Sequence, residues 1–221
     1  MTEPAVAVAG LRRDYGERPA LAGVELSLAR GESLLVLGPN GSGKTTLLRI
    51  LATLLRPSGG EVRVLGAQLP GDAWKVRGRI GLLGHDALLY RDLSGRENLR
   101  FHARLHGLRG EAAEARIAEL LAAVGMERRA DDRVVELSAG MRQRIAACRC
   151  VLHEPELLLL DEPDSNLDAE AREQVGRLVG PAPGRTRVLV SHDPERHRGG
   201  ADRLLELGVG GSVTTPAAAS S

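Results

Sequence analysis

The sequence of 221 residues contains few aromatic side chains, and this scarcity limits what the protein can bind. Its four aromatic residues are Tyr15, Trp74, Tyr90 and Phe101. Domains that bind single-stranded nucleic acid stack successive bases on aromatic rings, so four scattered rings argue against such a platform. The formal net charge is +1, from 30 basic and 29 acidic residues, and provides no basic field for phosphate backbones. We therefore expect no nucleic-acid partner.

Long hydrophobic runs and cysteines are also scarce. No apolar run approaches the roughly 20 residues that a helix needs to cross a bilayer. The first ten residues, MTEPAVAVAG, lack a basic segment followed by an apolar one, so we expect no secretory signal. The two cysteines, Cys148 and Cys150, fit a reducing compartment. On a helix their spacing directs the thiols to different sides, which favours packing roles.

Lysine is rare too, because 28 of the 30 basic residues are arginine and the other two are Lys44 and Lys75. Lys44 lies in GPNGSGKT, residues 38–45, which matches the phosphate-loop pattern G-x-x-x-x-G-K-[ST] between an apolar strand and a helix. Backbone N–H groups of such a loop surround phosphate oxygens, the lysine binds the β- and γ-phosphates, and the hydroxyl of Thr45 can bind Mg²⁺. The predicted nucleotide-binding residues are Gly38, Pro39, Asn40, Gly41, Ser42, Gly43, Lys44, Thr45 and Thr46.

Short apolar runs alternate with helical patterns, which indicates the α/β class. The pattern predicts strands at residues 5–11, 24–28, 33–37, 61–65, 80–83, 157–160 and 187–190, and helices at 43–55, 94–108, 111–124, 138–152 and 169–179. The helical stretch at about 86–152 is expected to be an insert. Residues 208–221 have no periodicity and are predicted to form a disordered tail.

A second acidic site follows the four leucines at 157–160, where Asp161 and Glu162 end the predicted strand. Beside a phosphate loop, Asp161 would bind Mg²⁺ and Glu162 would orient or deprotonate the attacking water. The two sites together predict phosphoryl transfer from a bound nucleotide to water, with Mg²⁺ as the cofactor.

Residues 137–141, LSAGM, precede a helix about 20 residues before Asp161. With the phosphate loop and Asp161-Glu162, they make residues 5–207 resemble the nucleotide-binding subunits of ABC transporters, whose signature is LSGGQ. The resemblance implies a P-loop NTPase core of ABC type with an antiparallel β subdomain and a helical subdomain at about 86–152. Residues 1–207 would form one ABC ATPase domain.

The resemblance also implies roles for individual residues. Tyr15 would stack on adenine, His192 would contact the γ-phosphate as the switch histidine, and Asp168 would belong to the D-loop at 165–168. The catalytic group would comprise Lys44, Glu162 and His192. Signature residues Ser138, Ala139, Gly140 and Met141 would close on the nucleotide of a second copy, because family members work as head-to-tail dimers.

Two positions depart from the family pattern: His85 replaces the Q-loop glutamine and Met141 replaces the last signature residue. A histidine ligates metal only when it is neutral, and it is shorter than glutamine. By this resemblance His85 would join Thr45 and Asp161 at the metal.

The resemblance further implies a polytopic membrane permease as partner and a peripheral location on the cytoplasmic side of the cell membrane. Residues 82–85, LLGH, and 93–101, LSGRENLRF, resemble the haem-exporter ATPase of cytochrome c maturation, so haem export is the leading expectation. The alternatives are the ATPase of another exporter, for a drug or a polysaccharide, and a soluble ABC ATPase outside transport.

Overall fold

A computed structural model describes residues 3–212 as an α/β protein with two β-sheets. The strands are β1 Val6–Tyr15, β2 Arg18–Leu28, β3 Ser33–Leu37, β4 Gly59–Val64, β5 Ala67–Leu69, β6 Ile80–Leu83, β7 Leu157–Asp161, β8 Thr186–Val190 and β9 Arg203–Glu206. The helices are α1 Lys44–Leu51, α2 Gly95–Leu105, α3 Gly110–Ala123, α4 Ala139–Val151, α5 Ala169–Val179 and α6 Pro194–Arg198. None of these helices has the length and apolarity that a membrane span requires.

The antiparallel sheet has the strand order β2-β1-β4-β5. Strands β1 and β2 form a long hairpin in which Val6 lies opposite Leu28, and β1 pairs on its other side with β4, where Val6 faces Val64. Alternate residues are buried, which is the pattern of a sheet with one face on a core.

The second sheet has the order β6-β7-β8-β3-β9. Strand β3 pairs in parallel with β8 and β9, where Leu35 lies opposite Leu189 and Leu204. Residues 33–36 of β3 and all of β7 and β8 are buried, as expected for central parallel strands covered on both faces. The carboxyl ends of β3, β7 and β8 lead directly into residues 38–45, Glu162 and His192.

The chain divides into two compact units. Among the described residues, unit 1 holds 3–80, 159–161 and 181–212, and unit 2 holds 81–158 and 162–180. Helix α4 of unit 2 packs against α2, α3 and α5, and it contributes Ile145, Ala146 and Cys148 to a buried core. Cys148 and Cys150 are both buried, as the packing interpretation predicts.

Most predicted elements are present with shifted ends, and a few elements were missed. The predicted helix at 43–55 ends at Leu51, and both strands of the first hairpin are longer than predicted. Strands β5 and β9 and helix α6 were not predicted. Val209–Gly211 forms a 3₁₀ turn on β2, and the rest of the predicted tail, residues 213–221, lies outside the described residues.

Candidate functional site

The phosphate loop has a backbone conformation that depends on glycine. Gly38, Gly41 and Gly43 all have positive φ, at 151°, 82° and 93°. A Cβ atom on Gly38 would lie 2.3 Å from the carbonyl oxygen of Leu207, and one on Gly43 would lie 2.2 Å from that of Ala20. Side chains at these two positions would therefore block the loop from packing on its neighbours.

Lys44 opens helix α1 directly after this loop, and its side chain turns back over the loop. The Nζ ammonium donates hydrogen bonds to the carbonyl oxygens of Gly38, at 2.7 Å, and Pro39, at 2.9 Å. The first turn of α1 itself contains no acidic residue. The ammonium and the helix N-terminus together favour a negatively charged ligand.

Thr45 and Asp161 meet although 116 positions separate them in the chain. The Thr45 hydroxyl donates a hydrogen bond to Asp161 Oδ2 at 2.8 Å, and the Asp161 side chain is buried. Hard oxygen donors of this kind suit Mg²⁺, which binds carboxylates and phosphates while keeping several waters. The residues therefore fit a magnesium ion that is bound together with a nucleotide phosphate.

Ser42 adds an unsatisfied group to the same loop. Its side chain is fully buried, and the hydroxyl oxygen has no hydrogen-bond partner among the described residues. A buried hydroxyl normally has a partner, because leaving it unpaired costs about 1–3 kcal/mol. Its position inside the phosphate loop fits a site that a polar ligand completes.

Tyr15 ends strand β1 with 49% of its surface exposed, which leaves a ring face open to a flat ligand. The guanidinium of Arg13 lies over the ring, 4.8 Å from its centroid, and Arg13 Nη1 donates to the carbonyl oxygen of Arg56 at 3.2 Å. Adenine stacking on Tyr15 stays a prediction.

His192 follows β8 and is exposed, whereas the preceding Ser191 is buried. The Ser191 hydroxyl oxygen accepts a hydrogen bond from the Asp193 backbone N–H at 3.0 Å. This turn holds the backbone on both sides of His192 where β8 ends. Unit 1 thus contains Tyr15, residues 38–46, Asp161 and His192.

Glu162 begins the second segment of unit 2, and its backbone has an unusual conformation. Its φ of +50° lies in the left-handed region, which non-glycine residues other than asparagine and aspartate seldom adopt. The Glu162 carbonyl oxygen accepts a hydrogen bond from the Ser165 backbone N–H at 3.1 Å, which closes a turn directly after β7. Strained backbone of this kind is concentrated at functional sites.

The signature residues form the N-terminus of α4. Ser138 is the N-cap, and its hydroxyl oxygen accepts a hydrogen bond from the Met141 backbone N–H at 3.2 Å. Gly140 lies against the D-loop: a Cβ atom there would lie 2.6 Å from the carbonyl oxygen of Asn166. Asp168 caps α5 by accepting a hydrogen bond from the Ala171 backbone N–H at 2.8 Å. The structure therefore brings the signature and the D-loop together within unit 2.

Gln143 strengthens this contact and was missed by the sequence reasoning. Its side chain is buried, and Nε2 donates to the carbonyl oxygen of Pro163 at 3.3 Å. A polar residue on the buried side of a helix, two positions after Met141, is the sequence feature that could have indicated this contact.

His85 is exposed and lies in unit 2, two residues after β6. Within residues 3–212, no group of three or more histidine, cysteine, aspartate or glutamate side chains could hold a metal ion. The proposed metal residues Thr45 and Asp161 are in contact, whereas the part of His85 in that group stays a prediction.

The segment that suggested the haem-exporter subfamily has a structural explanation. Ser94 and Glu97 form a capping box at the start of α2. The buried Asn98 accepts a hydrogen bond from the Tyr90 N–H and donates to the carbonyl oxygens of Tyr90 and Ser94. Phe101 packs edge-on against Tyr90. These residues build a helix start and the loop before it, so they carry no information about a transported compound.

Comparison with known proteins gives matches over most of the chain. Daunorubicin resistance ATP-binding protein DrrA3 of Streptomyces coeruleorubidus is 44% identical over 195 residues, which cover 86% of this chain and 61% of that protein. Nod factor export ATP-binding protein I of Rhizobium meliloti (strain 1021) is 36% identical over 213 residues, covering 95% of this chain and 63% of that protein. The chain thus spans 61–63% of the length of these two relatives.

A solved structure agrees over the whole fold. The dimeric, post-hydrolysis structure of the ATP-binding cassette MJ0796 bound to ADP and Pi has a TM-score of 0.88 at 28% identity, and the match covers 98% of this chain and 99% of that one. Both sheets and the helices are therefore those of the ABC ATPase fold. Residues 21–165 match the family model described as ABC transporter. The chain belongs to the ABC transporter family.

Proposed function

We propose that this chain is the ATP-hydrolysing motor subunit of an ABC exporter. The observation that carries the proposal is the 2.8 Å contact between Thr45 and the buried Asp161, beside a phosphate loop whose lysine and helix N-terminus favour an anion. The presence of both Glu162 and His192 favours turnover over an ATP-binding regulator that does not hydrolyse its nucleotide.

In this mechanism the loop binds the phosphates before any bond changes. Lys44 exchanges the carbonyl oxygens of Gly38 and Pro39 for oxygens of the β- and γ-phosphates, and the loop N–H groups surround the same phosphates. Thr45 and Asp161 hold Mg²⁺, which when bound neutralises phosphate charge. The glycine conformations are set in advance, so binding requires little reorganisation of the loop.

Glu162 and His192 are the proposed groups for the chemical step. Glu162 orients a water molecule and accepts its proton as the water oxygen bonds to the γ-phosphorus. The bond from that phosphorus to the bridging oxygen breaks, and ADP and phosphate leave. His192 contacts the γ-phosphate, and the signature of a second copy completes the site, so the monomer is nearly inactive.

The proposed partners are a second copy of this chain and a polytopic permease, with the chain on the cytoplasmic side of the membrane. The two relatives described above are named for daunorubicin resistance and Nod factor export. They favour the alternative of an exporter for a drug or a polysaccharide over haem export and cytochrome c maturation. We therefore propose an organic compound of that kind as the cargo.

The test is purification of the tagged full chain from native membranes in mild detergent, followed by mass spectrometry and an ATPase assay of the same sample. We expect a polytopic permease in stoichiometric amount and ATP turnover. The Lys44→Ala chain, purified in parallel, should bring down the permease without turnover.

The other outcomes distinguish the remaining assignments. Co-purification of cytochrome c maturation proteins would restore the haem assignment. Ribosomal or DNA-repair proteins with no membrane protein would replace the transporter motor by a soluble ABC ATPase. A sample with the permease but no ATPase activity would contradict the motor function itself.

A further inference from the structure

Arg149, in the last turn of α4, contacts strand β6 and not β7, the strand that comes next in the chain. It is partly buried, and its Nη2 donates a hydrogen bond of 2.7 Å to the carbonyl oxygen of Leu82 in β6. Leu82 lies three residues before His85. A hydrogen bond thus joins the helix that carries the signature to the strand that leads to the Q-loop position.

Burial of the Arg149 guanidinium is energetically unfavourable. Within the part of the chain that the structure describes, it forms no ion pair, and burial lowers the pKa of its guanidinium. The imidazoles of His102 and His106 lie near it, and their pKa values are lowered by burial and then by Arg149 itself, so they provide no counter-charge. A partly buried charge without a counter-charge is unfavourable, and an apolar side chain would usually stabilise such a position.

The backbones of the two elements also touch at this point. Gly81 of β6 packs so closely on the end of α4 that a Cβ atom there would lie 2.3 Å from the carbonyl oxygen of Cys150. The same atom would lie 2.8 Å from a Leu158 methyl carbon and 2.9 Å from a Pro155 ring carbon. The strand therefore has little freedom to move relative to the last turn of the helix.

We propose that Arg149 is a positioning residue that fixes the His85 segment to the signature helix. When the signature at the N-terminus of α4 binds the nucleotide of a second copy, Arg149 transmits that movement to residues 82–86. This inference rests on the proposed function, because it assigns the two ends of α4 to the sites named there.

A helix is suited to this task. About 15 Å of α-helix separate the signature from Arg149, at 1.5 Å per residue. Helix α4 is packed on α2, α3 and α5, so it moves with its neighbours as a body. Leu82 lies near the end of β6, three residues before His85. A shift of the end of α4 therefore displaces the His85 segment directly.

Three variants of the full chain test the proposal. Arg149→Met removes the donors and keeps most of the length, and Arg149→Lys keeps the charge with a single donor group. Arg144→Met is the matched control, because Arg144 lies on the same helix and donates to a backbone carbonyl oxygen, that of Val124, at 3.3 Å. The measurements are hydrogen exchange, ATP affinity and ATP turnover for each variant.

We expect Arg149→Met to speed exchange at the amides of residues 82–86 about tenfold, while Arg144→Met leaves these amides as in the wild type. ATP affinity should stay within about twofold, since the phosphate loop is unchanged, and turnover should fall about tenfold. Arg149→Lys should recover part of both the exchange protection and the turnover.

Unchanged exchange at residues 82–86 in both Arg149 variants would overturn the proposal, whatever the activities. An equal loss of turnover in Arg144→Met would do the same, because it would indicate a general effect on the helix. If Arg149→Met does not fold, hydrogen exchange at residues 82–86 in Arg149→Lys alone decides whether the proposal holds. A wild-type chain that fails to hydrolyse ATP would refute the proposed function and leave the exchange result to be judged separately.

Discussion

At the scale of single residues, the proposed binding of phosphate depends most on Lys44. Lys44 places a compact ammonium group at hydrogen-bonding distance from two loop carbonyl oxygens. Arginine, which supplies 28 of the 30 basic residues here, is a planar fork that cannot act as such a point charge. Phosphate oxygens would replace those carbonyl oxygens as the acceptors, so the loss of this side chain should act on nucleotide binding.

Lys44→Ala should weaken ATP binding about 100-fold or more, because at least two charge-assisted hydrogen bonds are lost. Isothermal titration with MgATP measures the change. Lys75→Ala is the natural control, since Lys75 is the other lysine and pairs at the surface with Asp72. Equal affinities for the wild type and Lys44→Ala would remove the phosphate-loop assignment.

Gly140 is the second single-residue constraint. Because its Cβ position lies 2.6 Å from the Asn166 carbonyl oxygen, Gly140→Ala must push the signature and the D-loop apart. We expect a loss of about 1–3 kcal/mol in the free energy of unfolding, measured in urea, together with reduced turnover.

Gly176→Ala in α5 is the control, because a Cβ atom there has nothing within 4 Å. It should stabilise the protein by up to about 1 kcal/mol through helix propensity. If Gly140→Ala and Gly176→Ala change the free energy of unfolding in the same direction and by the same amount, the close contact of Gly140 with Asn166 does not constrain the protein.

At the scale of elements, helix α2 combines a strong start with a histidine that burial keeps uncharged. The capping box of Ser94 and Glu97 satisfies the first N–H groups of the helix. Further along, burial lowers the pKa of His102 to about 4, and its Nε2 has no hydrogen-bond partner among residues 3–212.

This histidine makes stability depend on pH. The folded pKa lies below the unfolded value of 6.5, so between pH 6.5 and about 4 the unfolded chain binds a proton that the folded chain does not. Stability is therefore lost as the pH falls through that window. The full shift corresponds to about 3 kcal/mol, and solvent screening of a partly buried ring reduces it to roughly 1–2 kcal/mol.

His102→Leu should reduce the pH dependence of the free energy of unfolding between pH 6.5 and about 4. Urea unfolding at pH 7.5 and pH 4.5 should show a smaller difference for His102→Leu than for the wild type, with His197→Gln in α6 as the control. If the free energy of unfolding falls between pH 7.5 and pH 4.5 as much in His102→Leu as in the wild type, the acid sensitivity comes from other groups.

The elements differ in how far the sequence predicts them. The predicted strand at 33–37 and helix at 169–179 have the observed bounds, since the strand is a contiguous apolar run and the helix has buried apolar residues at every fourth position. Strand β9 has charged residues at both ends and owes its conformation to parallel pairing with β3, which no local pattern shows. Helix α6 has only five residues, too few for a period.

The residues of the candidate site also differ in how far the sequence predicts their arrangement. The phosphate loop is predictable because its residues are contiguous and its glycines are required by the backbone. The Arg149–Leu82 and Gln143–Pro163 contacts join positions 67 and 20 residues apart, through backbone carbonyl oxygens that have no sequence signature. The resemblance of residues 82–85 and 93–101 to a haem exporter is not supported by the relatives found, and residues 94–101 serve a helix start that any cargo class could share.

At the scale of the whole molecule, the central claim is that the chain works as a pair. The solved structure to which it is similar is itself dimeric and bound to ADP and Pi. If two copies close on ATP, hydrolysis ends the closed state, and a chain that binds ATP without hydrolysing it should accumulate as a dimer.

The most direct measurement is the molar mass of Glu162→Gln in MgATP by size-exclusion chromatography with light scattering. We predict about 47 kDa, twice the 23.5 kDa of one chain, with turnover reduced at least about 100-fold, and a return to 23.5 kDa when Lys44→Ala is added. A Glu162→Gln chain that binds ATP yet stays at 23.5 kDa, or that hydrolyses ATP at the wild-type rate, would contradict the account.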